Sequence, residues 1–216
     1  MVEDGKTGLI EGHDGTCRCA WAGHDPLYQA YHDEEWGRPV SDDRRLFEKL
    51  CLEGFQAGLS WLTILKKREA FREVFHGFDI ERVSSMGEED VARLLGDARI
   101  IRHRGKISAA ISNARAALAL IEKQGSLAAF LWSFEPPQCE RPERVTPEWM
   151  GENPVTPASA RLSKALRKEG FRFVGPTTCY AFMQSMGFVN DHMPGCHVRP
   201  ATEADRKDFI RPESKS

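Results

Sequence analysis

The segment Gly170-Phe171-Arg172-Phe173-Val174-Gly175-Pro176-Thr177-Thr178 stops one helix and starts another. Upstream, Ala158 to Glu169 is patterned as a helix, and Gly170 suits the left-handed C′ position that ends one. Downstream, Pro176 is placed as N1 of a helix carrying Cys179, Tyr180, Phe182, Met183 and Met186. The amides at such a helix start have no intrahelical acceptor, so they can bind an anion, a DNA phosphate included. Arg161, Lys164, Arg167, Lys168 and Arg172 flank the turn. Helical hairpins that bind nothing, with solvated basic faces, are the competing reading.

The same period runs through most of the chain. Leu46, Phe47, Leu50 and Cys51 share one stripe of a helix from Ser41 to Glu53, with Ser41 as its cap and Gly54 closing it. A second helix is expected from Ser60 to His76. A Ser85/Glu88 capping pair opens a short one through Leu95, and a long one covers Arg104 to Lys123. Leu127 to Phe134 adds another turn or two. Glu135 to Pro157 holds six prolines in 23 residues, which predicts a long surface connection. No β-hairpin signal stands out. The expected fold is therefore all-α: a polar mobile tail over 1–16, one helical domain over 17–200 containing the Pro-rich loop 135–157, and a frayed charged tail over 201–216.

With 216 residues, 41% hydrophobic and 29% charged, the chain has the profile of one globular domain. No apolar run is long enough to span a bilayer, which predicts no membrane partner. The first 16 residues lack an apolar export signal, so the expected compartment is the cytoplasm and the six cysteines are expected as thiols or metal ligands. A net charge of −2 argues against nucleic acid unless the basic residues cluster on one face.

Two groups of residues could carry chemistry. Cys17, Cys19, His24 and His32 stand near the N-terminus; His192, Cys196 and His197 stand near the C-terminus. His192 and Cys196 are four apart, one helical turn, and Zn²⁺ takes four N/S ligands, so an ion could be held half from each end. Buried thiols and exposed histidines remain the alternative. The second group is Trp21, Tyr28, Tyr31, Trp36, Glu53, Gln56 and Trp61. These are core aromatics and a solvated acid, or they line a pocket that stacks a flat ligand and bonds its edge.

Several long strings carry a resemblance: Arg18-Cys19-Ala20-Trp21, Ala30-Tyr31-His32-Asp33-Glu34-Glu35-Trp36-Gly37, Leu52-Glu53-Gly54-Phe55-Gln56-Ala57-Gly58-Leu59-Ser60-Trp61, Ile100-Ile101-Arg102-His103-Arg104-Gly105-Lys106, Gly170 to Gly175, and Val189-Asn190-Asp191-His192 with Gly195-Cys196. Together they resemble the bacterial 3-methyladenine DNA glycosylase I family, a branch of the helix-hairpin-helix glycosylases. The resemblance covers about residues 18 to 197; Phe55 and Pro176 depart from it at positions without a key role.

The resemblance implies an all-α helix-hairpin-helix glycosylase fold, with one structural Zn²⁺ held by Cys19, His32, His192 and Cys196 as a clasp between the two ends. It implies that Glu53 contacts the damaged adenine, with Tyr31 and Trp61 beside the base and Trp21, Tyr28 and Gln56 in weaker roles. Gly170, Phe173 and Gly175, with Lys164 and Arg172, would grip double-stranded DNA containing alkylated bases. Asp191 is either a catalytic carboxylate or the partner that orients His192. The implied enzyme is a monomer that hydrolyses the N-glycosidic bond of N3-methyladenine. Pro176-Thr177-Thr178 offers no lysine after the hairpin, so no lyase step is expected.

Overall fold

The computed structural model describes residues 7–214 and is mostly helical. The first six residues of the expected tail and the last two of the chain lie outside the described residues. The elements in chain order are β1 (Leu9–Glu11), β2 (Cys17–Cys19), α1 (Pro26–Glu34), α2 (Asp43–Gln56), α3 (Trp61–Val74), α4 (Ile80–Ser84), α5 (Glu88–Leu95), α6 (Arg104–Gln124), α7 (Leu127–Trp132), α8 (Pro147–Glu152), α9 (Pro157–Lys168), α10 (Pro176–Ser185) and α11 (Arg199–Asp208).

Helix α2 is the centre. Nine of its residues, Leu46, Phe47 and Lys49 to Phe55, are buried, which covers more than one face. A helix buried all round must be packed from several sides, and α3, α6, α7 and α10 all lie against it. Phe55, Phe71 and Phe75 form the aromatic core between α2 and α3, with Phe55 and Phe71 centroids 4.5 Å apart. Trp132 of α7 stacks on Phe188 at 4.0 Å, and its indole N–H donates to the Val40 carbonyl at 2.7 Å.

Helix ends follow local chemistry, with corrections to the expected caps. Asp42, not Ser41, caps α2 by accepting from the Arg45 amide at 2.8 Å. Asp43 reaches across to the Leu127 and Ala128 amides at 3.0 and 2.7 Å, placing a carboxylate on the positive end of α7. The N-cap of α5 is Gly87, whose N–H donates to Asp90, in place of the Ser85/Glu88 pair. Gly54 does not end α2, which continues to Gln56. Its missing side chain serves packing instead: a Cβ there would lie 3.3 Å from Phe173 Cβ and 3.4 Å from the Phe173 carbonyl.

Three sequence expectations need correction. Residues 7–16 are no loose tail, because β1 pairs antiparallel with β2, Ile10 opposite Arg18. The Pro-rich stretch contains α8, with Pro147 at N1, where a missing N–H costs nothing, and Thr146 as cap. The C-terminal stretch is pinned by α11, where Thr202 and Arg206 are buried. Arg206, Arg141 and Arg211 converge on Glu135 at 2.9, 3.0 and 2.9 Å, tying the start of the Pro-rich stretch to the chain end.

The turn between α9 and α10 is held from α6. Asn113 donates to the Arg172 carbonyl at 3.0 Å and accepts from the Arg172 amide at 2.8 Å. Ser163 Oγ donates to the Val174 carbonyl at 2.6 Å. Gly170 has φ +91°, and Phe173 adopts φ +56°, a conformation that side chains other than glycine rarely hold. Two clamped amide groups are therefore expected to matter. Asn113→Ala should cost about 1–3 kcal/mol, read as a fall in Tm of roughly 3–10 °C. An unchanged melting curve would show that the turn holds itself.

Candidate functional site

One candidate site is a cavity of about 290 Å³ whose wall includes Trp21, Tyr28, Tyr31, Trp36, Glu53, Gln56 and Trp61. That size lies at the small end of ligand pockets. All six residues expected beside the base therefore meet in one place. Tyr28 and Tyr31 come from α1, three apart and on one face, with their rings stacked at 6.4 Å. Asp25 caps that helix by accepting from the Leu27 amide at 3.0 Å, with Pro26 at N1. Trp21 arrives on the 3₁₀ turn Ala20–Ala22, 4.9 Å from Trp36 and 5.1 Å from Tyr28. Trp61 opens α3 behind its cap Ser60, 5.4 Å from Tyr31. Its indole N–H is buried and makes no hydrogen bond.

Glu53 is the carboxylate of the wall and is only 5% exposed. Burial pushes its pKa up, and Lys49, one turn earlier on α2, pulls it back. Their Nζ and Oε1 atoms are 3.0 Å apart. Lys49, behind the wall, was missed in the sequence, as were three wall residues, Met150 from α8 and Ala181 and Gln184 from α10. Lys49 had a usable signal, its i−4 spacing from Glu53 on an apolar stripe. The other three had none, because only the fold brings α8 and α10 to α1.

Asp191 is buried but lies behind the wall. Its Oδ2 accepts from the Tyr180 hydroxyl at 2.6 Å and from Gln184 Nε2 at 2.9 Å, so it reaches the cavity only through Gln184. It does not orient His192. Asn190 does so, with its Oδ1 2.9 Å from His192 Nδ1.

A second cluster joins the two ends of the chain. Cys19, His32 and Cys196 place their ligand atoms within 4.8 Å of one another, a group that could hold a metal ion. Cys196 Sγ is 3.4 Å from His32 Nε2. His192 packs its ring 5.1 Å from His32, and its Nε2 is buried with no hydrogen-bond partner. An orphaned buried nitrogen beside two thiols and an imidazole fits a four-ligand N/S site. Burial lowers the His192 pKa to about 4, which keeps the ring in its neutral, ligating form. Behind His32, Nδ1 meets Asp33 at 2.7 Å, and Asp33 is held by Arg18 and His197. His192 and Cys196 sit in an irregular turn, not on the helical face their spacing predicts. His192, an expected ligand, stays outside the group of three thiol and imidazole ligands, as do Cys17, His24 and His197.

The third feature is the α9–α10 turn. Arg161, Lys164, Arg167, Lys168 and Arg172 are exposed around it; Arg161 pairs with Glu140 at 2.8 Å, and the other four form no ion pair among the described residues. Phe173 projects from the turn and is 37% exposed. Gly175 has φ −61° and ψ 161°, which any residue adopts. A Cβ on it would come no closer than 3.8 Å to Arg167 Nη2. Neither the backbone nor the packing of this chain requires glycine there. Among the described residues, no helix is long and apolar enough to cross a membrane.

Comparison with known proteins bears on these features together. Residues 21–199 match the model of the methyladenine glycosylase family. The chain is 54% identical over 187 residues to DNA-3-methyladenine glycosylase 1 of Escherichia coli (strain K12), covering 86% of this chain and 98% of that protein. It is 47% identical to DNA-3-methyladenine glycosylase of Haemophilus influenzae, covering 84% and 97%. A crystal structure of a 3-methyladenine DNA glycosylase I variant in complex with 3-methyladenine superposes with a TM-score of 0.79 at 37% identity, covering 85% of this chain and 97% of that one. The aromatic cavity, its buried acid and the cluster joining the chain ends thus occur in a protein matched over nearly its whole length, and the chain belongs to the methyladenine glycosylase family.

Proposed function

We propose that this protein is a monofunctional DNA-3-methyladenine glycosylase, acting as a monomer in the cytoplasm on double-stranded DNA with alkylated bases. The observation that carries the reading is the buried Glu53 carboxylate on the wall of an aromatic cavity about 290 Å³ in volume. A base cannot be processed inside the duplex, so the nucleotide must leave the stack at a cost of a few kcal/mol. The cavity offsets this by stacking the base among Trp21, Tyr31 and Trp61. Glu53 accepts an N–H of the base edge, and Tyr28 and Gln56 complete the wall. N3-methylation makes adenine a cation. Its glycosidic bond breaks with the electron pair going to the base, which leaves neutral; water adds to C1′ and loses a proton. No lysine follows the α9–α10 turn, and Asp191, screened by Gln184, is assigned a supporting role in place of a catalytic one.

Phosphate is bound, in this reading, by the helix-hairpin-helix turn: amides at the start of α10, with Gly170, Phe173 and Gly175 shaping it and Lys164 and Arg172 supplying charge. The room at Gly175 supports this, since the glycine serves nothing inside the chain. Cys19, His32, His192 and Cys196 would hold one Zn²⁺. The ion supplies no chemistry to the base. It would join β2 and α1 to the segment before α11.

Three outcomes are expected. Glu53→Gln keeps the shape but removes the charge, and excision of 3-methyladenine should fall about 10–100-fold, the loss of one charge-assisted hydrogen bond. Binding to undamaged duplex should barely change. Full activity in folded Glu53→Gln protein would refute the role of this carboxylate. Gly175→Val should fold normally yet weaken binding to damaged and undamaged duplex alike. The salt slope in wild type should be about −2 to −4, and a variant that binds DNA as wild type does would remove the turn from the interface. Protein purified without chelator should contain about one zinc per chain, and its removal should lower Tm by less than the ~10–16 kcal/mol of a zinc-finger peptide would imply. Elemental analysis finding no zinc would sink this assignment.

A further inference from the structure

Lys49 is 5% exposed and fully engaged inside the fold. Its Nζ lies 3.0 Å from Glu53 Oε1, donates to the Tyr31 hydroxyl at 2.6 Å, and stands 3.3 Å from the centroid of the Trp61 ring. These three partners line the base-sized cavity, whereas Lys49 lines a smaller recess on the other side of Tyr31 and Trp61. Its ammonium therefore supports the cavity wall from behind.

A carboxylate buried alone tends to take up a proton, which turns one of its oxygens from acceptor to donor. Lys49 is the one charged group that opposes this at Glu53. Of the other charged groups around the Lys49 recess, Arg45 is exposed to solvent and four are paired. Glu35 and Arg68 are joined at 2.6 and 2.8 Å, and Glu48 is joined to Arg72 at 2.8 Å. From α1, the Tyr28 and Tyr31 hydroxyls are both pushed up by burial and stay neutral across the working range. Lys49 itself is pulled down to about 8 by burial, with Glu53 opposing that shift.

We propose that Lys49 is a positioning residue of this pocket: it keeps Glu53 a carboxylate before any base arrives, so that the pocket selects an N–H donor more than a positive charge. The inference rests on the glycosylase reading. With Lys49 protonated, the pair carries no net charge, so the cavity has little field to draw in a cation. One face of Trp61 already meets an ammonium, which leaves less of its ring quadrupole for a cationic base on the other face. A Glu53 without Lys49 would behave differently. It would be protonated when the pocket is empty and ionise only against a cationic base, tying recognition to the charge of the lesion.

Lys49→Met has nearly the same length and no charge. The Glu53 carboxyl carbon can be followed by ¹³C NMR across the pH range, with Glu53→Gln assigning the signal. Burial raises the Glu53 pKa and Lys49 lowers it, so Lys49→Met should take up the Glu53 proton at higher pH than wild type does. In activity, kcat/KM on methylated DNA at about pH 6 relative to pH 8.5 should fall roughly tenfold in Lys49→Met and stay nearly flat in wild type. Lys49→Arg, which keeps the charge, should restore the wild-type ratio. The same Glu53 titration in Lys49→Met and wild type would overturn the proposal, as would a loss equal at every pH. Should Lys49→Met fail to fold, wild type alone decides: the Glu53 signal must show a second step near pH 8, where Lys49 gives up its proton, and its absence counts against the proposal. Wild-type protein that releases no base from methylated DNA would overturn the glycosylase reading, while the NMR titration would still judge Lys49.

Discussion

The buried ion pair of Lys49 and Glu53 on α2 is the constraint around which the rest is arranged. A buried carboxylate and a buried ammonium each cost several kcal/mol when alone, and they are tolerable only when held together with good geometry. One helical turn supplies that geometry, since i and i+4 side chains share a face. The helix that carries the pair must then be enclosed, and α3, α6, α7 and α10 enclose it. Placing the acid on the most buried helix fixes its direction more firmly than a loop could, because the backbone around it cannot shift without disturbing four neighbours.

The same helix connects the cavity to the α9–α10 turn. Glu53 faces the cavity, while Gly54, the next residue, lets Phe173 of the turn come within contact of the helix backbone. On the other side, α10 starts at the turn and sends Ala181 and Gln184 to the cavity wall. Cavity and turn are therefore at a fixed separation. Helix α1 repeats this economy. Tyr31 faces the cavity and His32 faces the thiol and imidazole cluster, so neighbouring residues about 100° apart on one helix serve two sites. Whatever fixes His32, whether Asp33 at 2.7 Å or a bound metal, also fixes the rotation of α1 and hence the tyrosine ring.

Much of this was legible in the sequence, for reasons that differ by residue. The helices with a continuous apolar stripe, α2, α3, α6, α9 and α10, were readable because burial on one side imposes a 3.6-residue period. The cavity aromatics with Glu53 and Gln56 were readable through the resemblance. The β1–β2 pair was not, because three-residue strands carry no period, and this pair is held by burial of Ile10 and by Leu9 packing against the cluster that holds Cys19, Met193 and Cys196. Helix α8 was hidden by proline density, although Thr146-Pro147 is itself a start signal. Helix α11 was hidden by its polarity: its anchor is Arg206, whose value lies in Glu135, 71 residues away. Lys49 drew no reading of its own, because only the enclosed position of α2, with nine of its residues buried, gives that lysine a place inside the fold.

These placements separate two kinds of recognition. The turn offers amides and exposed cations, which suit a phosphate backbone and carry no information about the base. The cavity offers one acceptor, aromatic faces and a limited volume, which suit a base taken out of the duplex and carry no information about the strand. A base still in the stack presents neither its faces nor its full edge, so the cavity cannot inspect it there. In the proposed reading the turn would hold the duplex while the nucleotide rotates, with an equal grip on normal and damaged DNA. In that reading, discrimination would fall to the few groups that α1, α2 and α3 place on the cavity wall. Because the acid among them is buried with its own counter-ion, the free energy of charging the pocket is met during folding, not at the moment of binding. What remains to distinguish one base from another is hydrogen-bond geometry and shape.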